Sequence, residues 1–121
     1  MSIETSLKEA MAIDGAIGVA VVDYESGMSL GTLGGGQGLD LEVAAAGNTE
    51  VVRAKTRTLA TLGLNDTVED ILITLGRQYH IIRPLASSSG SLFLYLALDR
   101  VRGNLALARH ALKRIGNGLE V

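Results

Sequence analysis

The sequence predicts an α+β domain with a central five-stranded antiparallel sheet flanked by three helices, in the order α-β-β-α-β-β-β-α. Three observations predict it. Apolar residues recur at helical spacing near both ends of the chain and along an alanine-rich stretch at 39–62. Between these lie short runs of β-branched and apolar residues. The runs are separated by glycine- and serine-containing gaps short enough for hairpins, so neighbouring strands run antiparallel and the helices are left to cover the two faces.

Ile3, Leu7 and Met11 recur every four residues, so a short amphipathic helix starts after Ser2, a good N-cap, and "IDG" at 13–15 ends it with Gly15 as the cap. The run Ile17 to Val22 reads as a strand, "ESG" at 25–27 as a turn, and 28–33 as the returning strand of a hairpin. Residues 39–62 contain no proline and form the longest helix, with Gly47 and Asn48 as weak positions. "VEDILITLG", "QYHIIRPL" and "SLFLYLALD" are three strands, joined by a tight turn at 76–78 and a longer one at 86–90. Pro84 lacks a donor and belongs at a strand end or edge. A last helix is expected over 102–116, with Leu105, Ala108, Leu112 and Ile115 as its apolar stripe and "GNG" at 116–118 as its stop. The runs 17–22 and 92–98 are apolar at nearly every position, which marks strands buried on both sides at the centre of the sheet.

The 121 residues suit a single domain, 1–121, with enough chain for a real core. Hydrophobic residues make up 47% and charged ones 20%, which excludes a disordered chain. With no cysteine there is no disulfide framework, no thiolate chemistry and no sulfur-ligated metal. The first ten residues lack a basic and an apolar region of the signal-peptide kind, and no apolar run approaches a membrane span, so a cytoplasmic protein without membrane insertion is expected. The net charge of −2 hides an asymmetry: residues 1–52 carry eight acids against Lys8, whereas 71–121 carry seven bases against Asp99 and Glu120. The plain reading is that the two halves sit together and neutralise each other.

No catalytic or cofactor-binding residue emerges from the motifs. "SLGTLGGGQGLDLE" at 29–42 lacks the lysine and hydroxyl of a phosphate loop, and the dinucleotide glycine spacing places Leu39 or Leu41 at its third position. Asp40 and Glu42 would repel a phosphate at the helix start, so a flexible strand-to-helix connection is expected. "GMSLG" at 27–31 fits the nucleophile-elbow pattern, but Ser29 falls inside a hairpin strand rather than at a strand-to-helix turn. His80 and His110 are too far apart for a zinc pair, Asp23 opens no calcium loop, and no metal site is expected. Arg102, Arg109 and Lys113 are expected on one face of the last helix. An acidic chain with 3% aromatics is a poor nucleic-acid binder, so these bases are read as a surface for a protein partner.

In "VEDILITLG", Glu69, Ile71, Ile73 and Leu75 alternate with Val68, Asp70, Leu72 and Thr74, so both strand faces are partly apolar. An unprotected edge of that kind invites pairing with another chain. Small residues at 44–47 of the preceding helix suit close helix contact. A homodimer joined edge to edge would bury both features.

The chain resembles the roadblock family, the dynein light chain and Ras-like GTPase regulator group. The resemblance rests on "DGAIGVAVVDYESGMSLG" at 14–31, the helix at 39–62, "VEDILITLGRQYHIIRPL" at 68–85, and "LFLYLALDR" with "NLALARHALK" within 92–113. It implies a roadblock/profilin-like α/β/α sandwich and a noncatalytic, homodimeric signalling module that scaffolds or regulates a small Ras-like GTPase. The implied dimer surface draws on Val43, Gly47, Val51 and Ala54 of the long helix and on Glu69, Ile71, Ile73 and Leu75 of the strand. The alternative is a small-molecule sensor domain of similar topology, for which a ligand-sized cavity beside Tyr79 and Tyr95 would speak.

Overall fold

The computed structural model describes residues 1–36, 38–86 and 90–120. The elements are α1 (Ile3–Met11), β1 (Ala16–Asp23), β2 (Met28–Gly34), α2 (Leu41–Leu62), β3 (Ile71–Thr74), β4 (Gln78–Pro84), β5 (Leu92–Asp99) and α3 (Leu105–Gly118). The five strands form one sheet in the order β2-β1-β5-β4-β3, antiparallel throughout. The two uniformly apolar runs become β1 and β5, side by side near the centre, as burial on both faces requires.

Alternation along the strands separates two cores. On one face Val19, Val21, Ile81, Leu94, Leu96 and Leu98 meet α1 through Leu7 and Ala10, and α3 through Ala108, Leu112 and Ile115. On the other, Ala20, Val22, Ile82, Phe93, Tyr95 and Ala97 meet α2 alone, through Leu41, Ala45 and Val52. Pro84 is the last residue of β4 and lies beyond the final β3 pair, Ile71↔Ile82, so the ladder to β3 loses no donor there.

Several boundaries differ from the sequence expectation. The cap of α1 is Ala12, not Gly15. Gly15 instead turns the chain into β1 at φ 86, where an added Cβ would stand 2.6 Å from the Gly103 nitrogen. The long helix starts at Leu41 because Leu39 is bridged to Gly36, and the Asp40 carboxylate caps the amides of Glu42 and Val43. The strand expected from 68 begins only at Ile71, since the Asp70 carboxylate turns to Arg109 on α3 at 2.8 and 3.0 Å. The last helix starts not at 102 but at Leu105, under the Asn104 side chain, which accepts from the Leu107 amide at 3.0 Å. It does not stop at "GNG" but runs through it to Gly118. Gly116 is buried where an added Cβ would meet Leu85 Cδ2 at 2.9 Å, so this glycine serves close packing inside the helix.

Residue 37 of the connection expected to be flexible lies outside the described residues, and the residues on either side of it make specific contacts. Gly34 has φ 77 and would drive a Cβ to within 2.6 Å of the Ile17 carbonyl, while Gly36 and Leu39 exchange backbone hydrogen bonds at 3.2 and 3.1 Å. Of the turn expected at 86–90, residues 87–89 lie outside the described residues.

Candidate interaction surface

The surface that collects most of the residues singled out in the sequence is built by α2, β3 and the sheet between them. Helix α2 is seated over its first three turns, where Leu41, Ala45, Thr49 and Val52 are buried. Arg53 then fastens it to the β1–β2 turn, its Nε donating to the Tyr24 carbonyl at 2.8 Å and its second nitrogen donating to the Glu25 carbonyl. Beyond Arg53 every residue to Leu62 except the half-buried Leu59 is exposed, Leu62 itself at 64%. A 22-residue helix is about 33 Å long, while eight-residue strands span about 26 Å, so the last turns outrun the sheet.

Because α2 crosses β2 and β1, the β4–β3 side of this sheet face is left half open. Ile71 and Ile73 are half-buried there, at the margin of the core under α2, and His80 and Ile82 stand opposite them on β4. A polar chain runs under the helix. Gln78 Oε1 lies 2.8 Å from His80 Nε2, His80 Nδ1 lies 3.2 Å from the Tyr95 hydroxyl, and the Asn48 side chain lies beside the same hydroxyl. The His80 and Tyr95 rings meet edge to face, centroids 5.4 Å apart. Burial pushes the Tyr95 hydroxyl up to about 12 and holds the His80 imidazole below its ordinary value, so both are neutral near pH 7. The buried tyrosine is thus satisfied by His80, with Asn48, a weak helix position in the sequence, beside it.

On α2, Val43, Gly47 and Ala54 face outward, Val43 at 68% exposure and Gly47 with open space around it, while Val51 is half-buried. Their spacing places all four along one stripe of the helix, away from the seated stripe. Val51 and Ile71 come together, packing against the same core and lining the same groove. Ile73 continues that line along β3. Glu69 is exposed in the segment before the strand, and Leu75 follows it, exposed, with its amide donating to the Gln78 carbonyl at 2.8 Å.

The basic residues do not share one helical face. Arg102 precedes α3, in the turn after β5, within 4.0 Å of Asp99. Arg109 is held bidentate by Asp70, whose side chain is only 9% exposed, and Lys113 is exposed on α3. Among the described residues, the pairs found across the two charged halves are Arg114 with Glu9 at 3.1 Å and the amino terminus with Glu120 at 3.9 Å. Most of the acids and bases stay apart instead of neutralising one another directly.

Two open grooves of about 820 and 850 Å³ border the far half of α2 and the 64–70 segment. Neither is lined by Tyr79 or Tyr95. Tyr95 is fully buried, and Tyr79 lies on the opposite sheet face, packed against that core and stacked under the Arg100 guanidinium at 5.0 Å. Ser29 lies in β2, as its hairpin position predicts, with its hydroxyl donating to the Glu42 carboxylate at 2.8 Å. Among the described residues no group of three His, Asp or Glu is placed to hold a metal ion, and no helix is long and apolar enough to cross a membrane.

No family model and no curated protein matches the sequence. Solved structures do. The chain superposes on the Roadblock/LC7 domain from Streptomyces avermitilis with a TM-score of 0.80 at 8% identity, over 98% of this chain and 94% of that one. Myxococcus xanthus MglB follows at 0.75 and 19%, over 93% and 77%. Myxococcus xanthus MglC gives 0.62 and 25%, over 98% and 96%. Element order, sheet and helix placement agree with the expectation drawn from the sequence, and the chain has the roadblock fold.

Proposed function

We propose that the chain is a noncatalytic, homodimeric interaction module of the cytoplasm that scaffolds or regulates a small Ras-like GTPase. The observation that carries the dimer is the half-open sheet face. A short edge strand with inward Ile71 and Ile73 lies beside a helix whose outward stripe is Val43, Gly47, Val51 and Ala54. A second copy laid against both would cover apolar surface and pair the β3 edge. The GTPase reading rests on the roadblock resemblance, and the fold shared with MglB, MglC and the Roadblock/LC7 domain supports it. Of the bases read as a partner surface, Lys113 and Arg102 are exposed, while Arg109 would first have to leave Asp70.

Affinity purification from the native cell extract, run once with a GTP analogue and once with GDP, tests the role. A small GTPase enriched in one nucleotide state supports regulation. Recovery of well-behaved dimer with no GTPase in either state ends that reading.

A further inference from the structure

The edge of the sheet opposite β3 carries its own unmet chemistry. Among the described residues strand β2 is outermost and pairs only with β1. Its sequence, Met28 to Gly34, holds no charged residue and no proline, the usual guards of an exposed edge. Met28, Leu30 and Leu33 are 68%, 46% and 39% exposed along it. Its guard is a bulge opposite Val21 and Val22, which leaves Leu30 unpaired and residues 31–34 in regular register.

Acids frame this edge on both sheet faces. Glu42 reaches from α2 to the Ser29 hydroxyl. Glu4 stands on α1 next to Ile3, which packs close to Gly31 on the other face. Glu25 sits in the turn leading into the strand, and Asp40 caps the helix that follows it. Nearby bases are already used: Lys8 lies 3.3 Å from Glu4, and Arg53 donates to the carbonyls of Tyr24 and Glu25. The strong acidity of residues 1–52 is thus gathered in part around one apolar strand edge.

We propose that the β2 edge docks an extended segment of a partner protein in which apolar and basic residues alternate, added to the sheet as a further strand. Backbone pairing supplies the register; Met28 and Leu33, exposed on the α1 face opposite Asp23 and Val19, meet the apolar positions, and Glu42, on the α2 face beside Ser29, meets the basic ones. A second copy fits less well, because two β2 edges would bring like charges together and β3 offers only four residues to pair with.

The test is an NMR titration of the 15N-labelled full chain with a short peptide alternating lysine and valine, beside the same peptide with glutamate for lysine. Saturable shifts confined to residues 28–34 and their flanking acids are expected, with the lysine peptide binding at least about tenfold more tightly. Leu30→Lys, which puts a guard charge on an exposed position, should weaken that peptide about tenfold while leaving the rest of the spectrum in place. Glu42→Gln should narrow the gap between the two peptides, a change that loss of packing alone would not produce. Shifts centred on α2 and β3, equal binding of both peptides, or concentration-dependent shifts at 28–34 in the chain alone would each overturn the proposal. The last would give the edge to a second copy. Because β2 and β3 are opposite edges, Ile73→Asp should bind the lysine peptide like the parent, so failure of the dimer and failure of this site are read separately.

Discussion

Gly15 and Gly103 bring two turns into backbone contact. Asp99 donates its amide to the Gly15 carbonyl at 2.8 Å, and its own carbonyl accepts from the Gly103 amide at 2.9 Å. An added Cβ at Gly103 would stand 2.6 Å from Leu98 Cγ and 2.7 Å from the Asp99 carbonyl, atoms with no room to retreat. Gly103→Ala should therefore cost about 1–3 kcal/mol, read as a shifted denaturant midpoint at unchanged slope. His80 makes a second prediction at this scale. Burial lowers its pKa below 6.5, so the folded chain holds the proton less tightly than the unfolded one. Above 6.5 both states are neutral and the contribution to stability is constant. As pH falls below 6.5 the unfolded chain is protonated first, and stability drops until the folded pKa is reached. Stability curves for the parent and His80→Gln should run parallel above that pH and converge below it. Parallel curves throughout would mean that His80 titrates alike in both states. Tyr95→Phe removes the hydroxyl that pairs with His80 Nδ1 and should cost about 1 kcal/mol by the same denaturation measurement.

Among the elements, β3 carries the strongest expectation. It is four residues long and held on one side only, and half-buried Ile71 and Ile73 alternate with exposed Leu72 and Thr74. Ile73→Asp should convert a dimer to a monomer in sedimentation at concentrations where the parent is dimeric. A well-folded dimer of unchanged affinity would remove β3 from the interface. The strand's existence and its two-sided apolar pattern were readable from alternation. Its start was not, because the competing bond from Asp70 to Arg109 joins residues 39 positions apart in the chain. The same limit explains α3. Its stripe, Leu105 to Ile115, was visible at helical spacing, but "GNG" reads as a stop until Leu85 and Leu94 are seen packed on Gly116. Asn48 reads from the sequence only as a poor helix residue, since Tyr95, beside which it lies, sits on a strand 47 positions away. Local pattern gave element type and order, and long-range polar contacts set the ends.

At the scale of the whole molecule, two cores share one sheet. Among the described residues the α1/α3 core and the α2 core form separate clusters, yet each is lined by alternate residues of β1, β5 and β4, so neither face can open without stripping the strands that support the other. Unfolding should then be a single transition even though α2 is seated over only part of its length. Leu112→Ala provides the test, because Leu112 is fully buried on α3 and its loss should cost about 2–5 kcal/mol at the face away from α2. If the cores are coupled, amides of α2 between Ala45 and Val52 should lose hydrogen-exchange protection by the same free energy as those of α3. Loss confined to α1 and α3 would show the faces to be separate units, with the sheet surviving the release of one layer. The turns beyond Arg53 should exchange quickly in parent and variant alike, since all their residues but Leu59 are exposed. They should slow only on dimerisation, so the same experiment repeated across protein concentration reads the association of two chains through the surface that α2 and β3 present.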